Sequence, residues 1–401
     1  MEPNGTAPVR TQEHRVFNRV ELGTGPVAVE PDISPEYFEL ERERVFKRCW
    51  LCVGRINELT EPGTYVVKDL PVLHTSVLLV RGRDDGVRGF HNMCRHRGNK
   101  IVRSGSGAVK HFMCGFHGWT YDVEGRLVSV TDEDEFPGLC KGELGLIPIT
   151  TDVWEGFAFV KQEPNPRVTL REWIGEVVDQ YDGFFNKELR SSYGVELMCG
   201  WKPVINAFAE SYHAPILHRH SLGTSTSSAH NPFAHPLLLE VFKHHRRFSI
   251  FANPQHQPRP AETFGQHHYD ANADPNKLPP GVNPGRLREW AFDVLFIFPN
   301  WLVMTGSNFY LTLNFMPISW ERTAIEMNVY FQQPRTAAEK IAQELQRTLL
   351  RDIAREDYNT LEATHSMLKS RVMTHIQLSE QEILLRHLYE VVDEMVRTAT
   401  G

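Results

Sequence analysis

The sequence predicts an α+β chain of more than one unit, an all-β stretch followed by a larger region that mixes strands with a long helix. Three observations carry this. From about Cys49 to Val160, short β-rich runs alternate with turn pairs. Four further runs between Phe292 and Phe331 read as strands. Thr336, with Glu339 three residues on, is a capping-box start for an amphipathic helix reaching about Leu368. A length of 401 residues suits two or three domains with sizeable cores.

Residues 1–30 are polar and punctuated by Pro and Gly, and read as an arm. Ser34-Pro35 is an N-cap followed by proline at the first helical position, so Glu36 to Lys47 is expected to be helical. Val77–Val80 and Val87–Phe90 flank Asp84-Asp85-Gly86, a hairpin signal. Trp119–Val123 and Leu127–Val130 flank Glu124-Gly125, a second hairpin, and Gly156–Val160 closes the β-rich stretch. A helix is expected from Leu170 to Tyr181 and helical structure over 201–220. Residues 221–235 and 253–286 read as loops, the longer one of the kind that is either a functional lid or partly disordered. Phe292–Phe298, Trp301–Thr305, Tyr310–Met316 and Ala324–Phe331 are the later strands, and a last helix covers Glu380 to Val396. The expected division is 1–48, an arm and helix belonging with the later region; 49–161, the β unit; and 162–401.

Composition narrows the classes. Apolar residues at 41% and charged residues at 23% are ordinary for a globular protein. A balance of 43 Lys+Arg against 50 Asp+Glu, net −7, speaks against nucleic acid as a partner. No apolar run approaches the roughly 20 residues of a membrane helix. Met1-Glu2-Pro3-Asn4-Gly5 lacks a secretory pattern, and six cysteines make no disulfide scaffold, so a reducing, cytoplasmic setting is expected.

Two constellations carry chemistry. Cys94-Arg95-His96 is followed after 17 residues by Cys114-Gly115-Phe116-His117. Each half offers one thiolate and one imidazole on a glycine-containing turn after a strand, so two loops can pinch one centre. Zinc accepts two Cys and two His, but no helix here bears a His pair. The alternative is a Rieske [2Fe–2S] cluster, in which imidazoles replace two thiolates on one iron and raise its potential. Cys49-Trp50-Leu51-Cys52 is a decoy. It lies at a helix-to-strand passage and, like Cys140 and Cys199, reads as buried structural cysteine.

The second constellation is Asn206, Glu210, Tyr212, His213 and His218. Pro215 interrupts helix between the two histidines and can re-aim the second ring. Two imidazoles and one carboxylate form the facial triad of non-haem Fe(II) oxygenases. Asp352, Glu356 and Asp357 on the long helix are candidates for the carboxylate, while Glu210 can orient a ligand imidazole instead. Histidines 230, 235, 244, 245, 256, 267 and 268 read as solvated loop residues.

Together these motifs resemble the large (α) subunit of Rieske non-haem iron ring-hydroxylating oxygenases, over roughly residues 35 to 395. Cys94, His96, Cys114 and His117 match the family's cluster signature. Asn206, Glu210, His213 and His218 match its Asn-x3-Asp/Glu-x2-His-x4-His signature. Glu356-Asp357 fits its late-helix ligand, so the resemblance favours Asp357 over Asp352. It implies a helix-grip catalytic domain, a curved antiparallel sheet around a long helix. It implies a [2Fe–2S] cluster and a mononuclear Fe(II), with O2 and NAD(P)H-derived electrons supplied by a reductase, with or without a ferredoxin. It also implies a head-to-tail homotrimer, with or without a small β subunit. There Glu210, Asp in many members, bridges a cluster histidine of one subunit to a ligand histidine of the next. The substrate implied is a small apolar ring compound, or a larger steroid- or terpenoid-like one. Phe208, Leu295, Phe296, Phe298, Asn300 and Phe315 are candidate pocket residues, although alternation along a strand turns half of any such set away. A Rieske electron carrier without oxygenase activity is the rival from another class, and it leaves the downstream region unexplained.

Overall fold

The computed structural model describes residues 16–17, 22–103, 105–269 and 277–398. Most of the N-terminal arm and residues 270–276 of the long loop lie outside that set. The fold is α+β, as expected.

The β-rich stretch folds into a seven-stranded antiparallel sheet and a small three-stranded one. The first hairpin forms with Thr75–Arg81 against Val87–His91. The second forms with Thr120–Asp122 against Leu127–Ser129, in the small sheet beside His111–Met113. Phe157–Lys161 closes the large sheet between Leu51–Arg55 and Pro148–Trp154.

The later region is an eight-stranded sheet whose order runs from Val16–Phe17 through Leu238–Val241, Arg246–Phe251, Trp290–Ile297, Trp301–Thr305, Phe309–Ser319 and Arg322–Phe331 to Glu188–Leu197. The helix Ala337–Leu368 lies over this sheet. Thr336 Oγ1 accepts the Glu339 N–H at 3.1 Å and starts it. Its inward stripe, Ala354, Asp357, Leu361, His365 and Leu368, repeats every three or four residues, the period of one helical face.

One apolar core runs through both sheets. Leu51, Val53 and Val77 pack in the same cluster as Trp201, Phe315 and Leu361. Asn300 fastens the seam: its amide accepts the Cys52 N–H at 3.0 Å and donates to the Cys52 carbonyl at 2.9 Å. Cys49 and Cys52 are fully buried there, and burial pushes the Cys52 thiol up to about 12. Both are packing residues.

Several expectations are corrected. The helix at Leu170 stops at Ile174, because Gly175 turns the chain at φ +62°. The segment 253–286 is not all loop; Pro260–Tyr269 is helical, packed on the long helix. Its polar sequence gave no apolar stripe. Cys140 is exposed, not buried. His245 is not a solvated loop residue. It directly precedes the inner strand Arg246–Phe251, donates from Nε2 to the Trp173 carbonyl and accepts the Phe298 N–H at Nδ1. His244 stacks on Trp173 with ring centroids 4.6 Å apart.

Burial holds His245 down to about 4 and His387 down to about 3, the latter with help from the charge of Arg246. An unfolded histidine takes its proton near pH 6.5. The stability contribution is therefore complete above that pH and is lost as pH falls toward 4, by about 3 kcal/mol for His245 alone. Asp293, held up to about 6 by burial, slopes the other way, as do Asp32, Glu41 and Glu155, which burial also raises. The His245 contribution is therefore read as a difference: between about pH 7 and 4.5 the urea midpoint of His245→Gln is expected to lose less, or gain more, than that of the wild type. Parallel profiles in the two proteins would contradict this.

Candidate metal centres and active site

The two cysteine loops are built alike. In the first, the Gly98 N–H donates to the Cys94 carbonyl at 3.0 Å and the Cys94 N–H to Asn99 at 2.8 Å. In the second, Gly118 donates to Cys114 at 3.0 Å and Cys114 to Trp119 at 2.8 Å. Each turn passes through the left-handed region, at Gly98 (φ +77°) and Gly118 (φ +74°). At Gly118 a Cβ would also meet Thr131 Oγ1 at 2.6 Å, so glycine is required twice over.

Cys94 and Cys114 are each 2% exposed, while His96 and His117 reach toward the surface with centroids 4.6 Å apart. His96 lies nearly parallel to Trp119. Tyr121 Oη is 3.3 Å from Cys94 Sγ, and Asn99 donates to Cys114 Sγ at 3.6 Å. Burial would raise the Cys114 pKa, but N–H donors from Phe116, Asn99 and His117 outweigh it and lower the pKa, favouring thiolate there, whereas burial raises that of Cys94.

The donor set fits a two-iron cluster better than one zinc. His117 Nδ1 is buried without a hydrogen-bond partner, as suits a nitrogen set aside for metal. No three of the four side chains bring ligand atoms within 4.8 Å of one another, so they span more than a single ion.

The second constellation forms where Trp201–Asn206 ends and Ala214–Leu217 begins. The helical break falls at 207–213, ahead of Pro215 and not at it. Proline sits in the first turn of the second helix, where its missing N–H costs nothing. His213 and His218 flank that helix and turn their Nε2 atoms to 3.2 Å from each other. Asp357 joins them, its Oδ1 3.2 Å from His218 Nε2 and 3.6 Å from His213 Nε2. Among the described residues these three alone gather as a group able to hold one metal ion.

The outer nitrogens are held by carboxylates. Glu210 bonds His213 Nδ1 and accepts the backbone N–H groups of Tyr212 and His213. Glu356 Oε2 lies 2.7 Å from His218 Nδ1. Burial lowers the pKa of both rings, but Glu210 at His213 and Asp357 at His218 outweigh it and raise both. The pocket attracts positive charge, which a divalent cation supplies. Asp352 points outward and pairs with Arg351. Asn206 is buried; Tyr212 is 49% exposed.

A cavity of about 510 Å³ opens beside His213, His218 and Asp357, ordinary for a small-molecule site. Phe208, Phe248, Phe292, Leu311 and Leu313 form much of its wall, and Ala261, Glu262 and Gln266 of the helix Pro260–Tyr269 line it too. Of the predicted pocket residues, Phe208 is on the wall. Leu295, Phe296, Phe298, Asn300 and Phe315 are not. Phe296 shares a face with Phe292 and Val294 but lies farther along the strand, under Arg246 at 4.4 Å. Phe315 stands beside Phe208 at 5.9 Å, Leu295 and Phe298 are in the core, and Asn300 is the clamp on Cys52. The missed wall residues Phe248, Ile250, Leu311 and Leu313 follow the two-residue period of their strands, a signal present in the sequence.

A two-iron module held by two cysteines and two histidines, joined to a mononuclear site of two imidazoles and a carboxylate under an apolar cavity, defines a Rieske-type terminal oxygenase. Residues 49–144 match the Rieske [2Fe-2S] domain, and residues 184–398 match the ring hydroxylating alpha subunit catalytic domain. The chain belongs to the ring-hydroxylating alpha subunit family: it is an oxidoreductase that uses O2 as a monooxygenase or dioxygenase, with a Rieske cluster and a mononuclear non-haem iron. The carnitine monooxygenase oxygenase subunit of Acinetobacter baumannii is 25% identical over 349 residues, 84% of each chain. The benzene 1,2-dioxygenase subunit alpha of Pseudomonas putida is 31% identical over 229 residues, 53% of this chain and 50% of that one. Naphthalene 1,2-dioxygenase from Rhodococcus sp. bound to indole shares the fold, with a TM-score of 0.76 at 18% identity over 94% of this chain and 95% of that chain. No helix among the described residues is long and apolar enough to cross a membrane.

Proposed function

We propose that this chain oxygenates an apolar ring compound at an iron held by His213, His218 and Asp357, with Cys94, His96, Cys114 and His117 holding the cluster. The observation that carries the reading is the convergence of His213, His218 and Asp357 on one point beside a largely apolar cavity. When bound, the iron supplies oxygen activation and the cluster supplies single electrons. The chain supplies position: Glu210 fixes the His213 ring, the cavity wall excludes water, and Phe208 bounds the space where a ring would lie.

Electrons come from a reductase, with or without a ferredoxin. Among the described residues no hydrogen bond or ion pair links either cluster loop to Glu210 or His213. Exposed Met113 and Phe116 flank the cluster residues, and exposed Tyr212 and Ile216 follow Glu210 in the chain, with the ring of exposed Phe233 6.5 Å from that of Tyr212. Such patches suit contact between subunits. We read them as the two faces of a head-to-tail trimer in which Glu210 links His213 to His96 or His117 of a second copy.

The three carboxylates on the cavity wall are Glu210, Glu262 and Asp357. Glu210 and Asp357 face imidazoles, and Glu262 accepts from Arg259 N at 2.8 Å and meets His256 at 3.1 Å. This leaves no uncommitted carboxylate on the cavity wall, among the described residues, for a cationic substrate. A quaternary ammonium is the second reading. It is favoured by the carnitine monooxygenase likeness over 84% of the chain and by the phenylalanines that offer cation–π faces.

Oxygen uptake with a reductase, read together with product mass, decides between them. Indole or benzene is expected to stimulate uptake and to gain oxygen, and L-carnitine is not. Uptake with L-carnitine alone would overturn the ring reading. Leu313→Trp, which fills the cavity, is expected to raise KM for the ring compound by about tenfold or more with metal content unchanged; an unchanged KM would move the substrate out of this cavity.

A further inference from the structure

We infer that Glu356 is the positioning residue of the mononuclear site, holding His218 in the one tautomer and ring orientation that turns Nε2 toward His213 and Asp357. The inference rests on the proposed ligand assignment. Glu356 and Asp357 are consecutive on the long helix and take hold of one imidazole at its two ends. Glu356 Oε2 is 2.7 Å from Nδ1, and Asp357 Oδ1 is 3.2 Å from Nε2. A carboxylate accepting Nδ1–H leaves the lone pair on Nε2, the atom that must meet the metal.

The Glu356 carboxylate is itself held. Ser221 Oγ donates to the same Oε2 at 2.7 Å, and it lies 3.3 Å from the His218 carbonyl. Ser221 also stands on the cavity wall. His218, its orienting carboxylate and the substrate space therefore share one hydrogen-bonded group.

Glu210 and Glu356 look equivalent but differ in reach. Glu210 is three residues from the histidine it holds, whereas Glu356 is 138 residues from His218. The Glu356 contact exists only when the long helix is seated on the segment that carries both histidines. It thus ties formation of the metal site to docking of that helix, and it lies off the proposed electron route.

The test uses the full-length protein with its cluster intact, stripped of mononuclear metal and titrated with Co(II). Glu356→Ala is expected to weaken Co(II) binding about 10- to 100-fold, the range for loss of a carboxylate behind a ligand imidazole. Glu356→Gln, whose amide oxygen still accepts Nδ1–H, is expected to fall between wild type and Ala. Ser221→Ala is expected to weaken binding less than either. The cluster absorption and urea midpoint of Glu356→Gln should match wild type, which separates positioning from unfolding if the Ala variant folds poorly. Wild-type Co(II) affinity in both Glu356 variants would overturn the inference. Absence of Co(II) binding in the wild type would instead overturn the ligand assignment beneath it.

Discussion

Asp357→Ala is expected to empty the mononuclear site while leaving the cluster visible. Iron should fall from about three per chain to about two, since the [2Fe–2S] group keeps its own pair. Asp357 contributes the one carboxylate among the three converging groups, and it is 4% exposed, so no water-borne substitute is already in place. Removing it leaves two imidazoles, one ligand short of the two-histidine, one-carboxylate triad that holds non-haem Fe(II). Turnover should drop by at least about a hundredfold, beyond the loss from an orienting residue. Iron content and cluster absorption, measured on one preparation, check this. Unchanged iron would return Asp352 to consideration, although it now faces outward onto Arg351.

Glu210→Gln is the second large effect, of a different kind. Gln keeps an oxygen that accepts Nδ1–H from His213, so both iron centres should remain. What is lost is the negative charge on the proposed link between subunits. We expect reductase-driven turnover to fall roughly a hundredfold. In the presence of ring substrate and O2, the pre-reduced cluster should stay reduced. Stopped-flow absorbance reads that directly. Wild-type reoxidation would remove Glu210 from the electron route and leave it as an anchor for His213 alone.

These effects hang on residues whose spacing was readable without coordinates. Two Cys/His turns 17 residues apart demand identical loops, and the backbone delivers them with the same pair of hydrogen bonds in each. The cap at Thr336 was equally local, although the Glu339 carboxylate reaches past it to the Arg335 N–H. Long-range geometry was harder to read. Alternation correctly placed the strands around Trp301 and Tyr310. It said which face a residue takes but not how far along that face the cavity extends, which is why Phe296 and Phe315 fall short of it. The strand Glu188–Leu197 escaped because it is an edge strand whose positions are mostly exposed or half-exposed and largely polar. The helix Pro260–Tyr269 escaped because its order comes from packing on Ala337–Leu368 and not from its own sequence. His245 was misread for the same reason: its strand neighbours bury it, while its flanking sequence is polar.

The most direct test of the two-centre account is electron paramagnetic resonance of the anaerobic, reduced protein exposed to nitric oxide, with and without indole. Two signals are predicted: that of the reduced Rieske cluster, and a high-spin ferrous nitrosyl signal reshaped when the ring compound is present. A cluster signal alone, in protein shown to hold its full iron, would contradict the assignment of His213, His218 and Asp357.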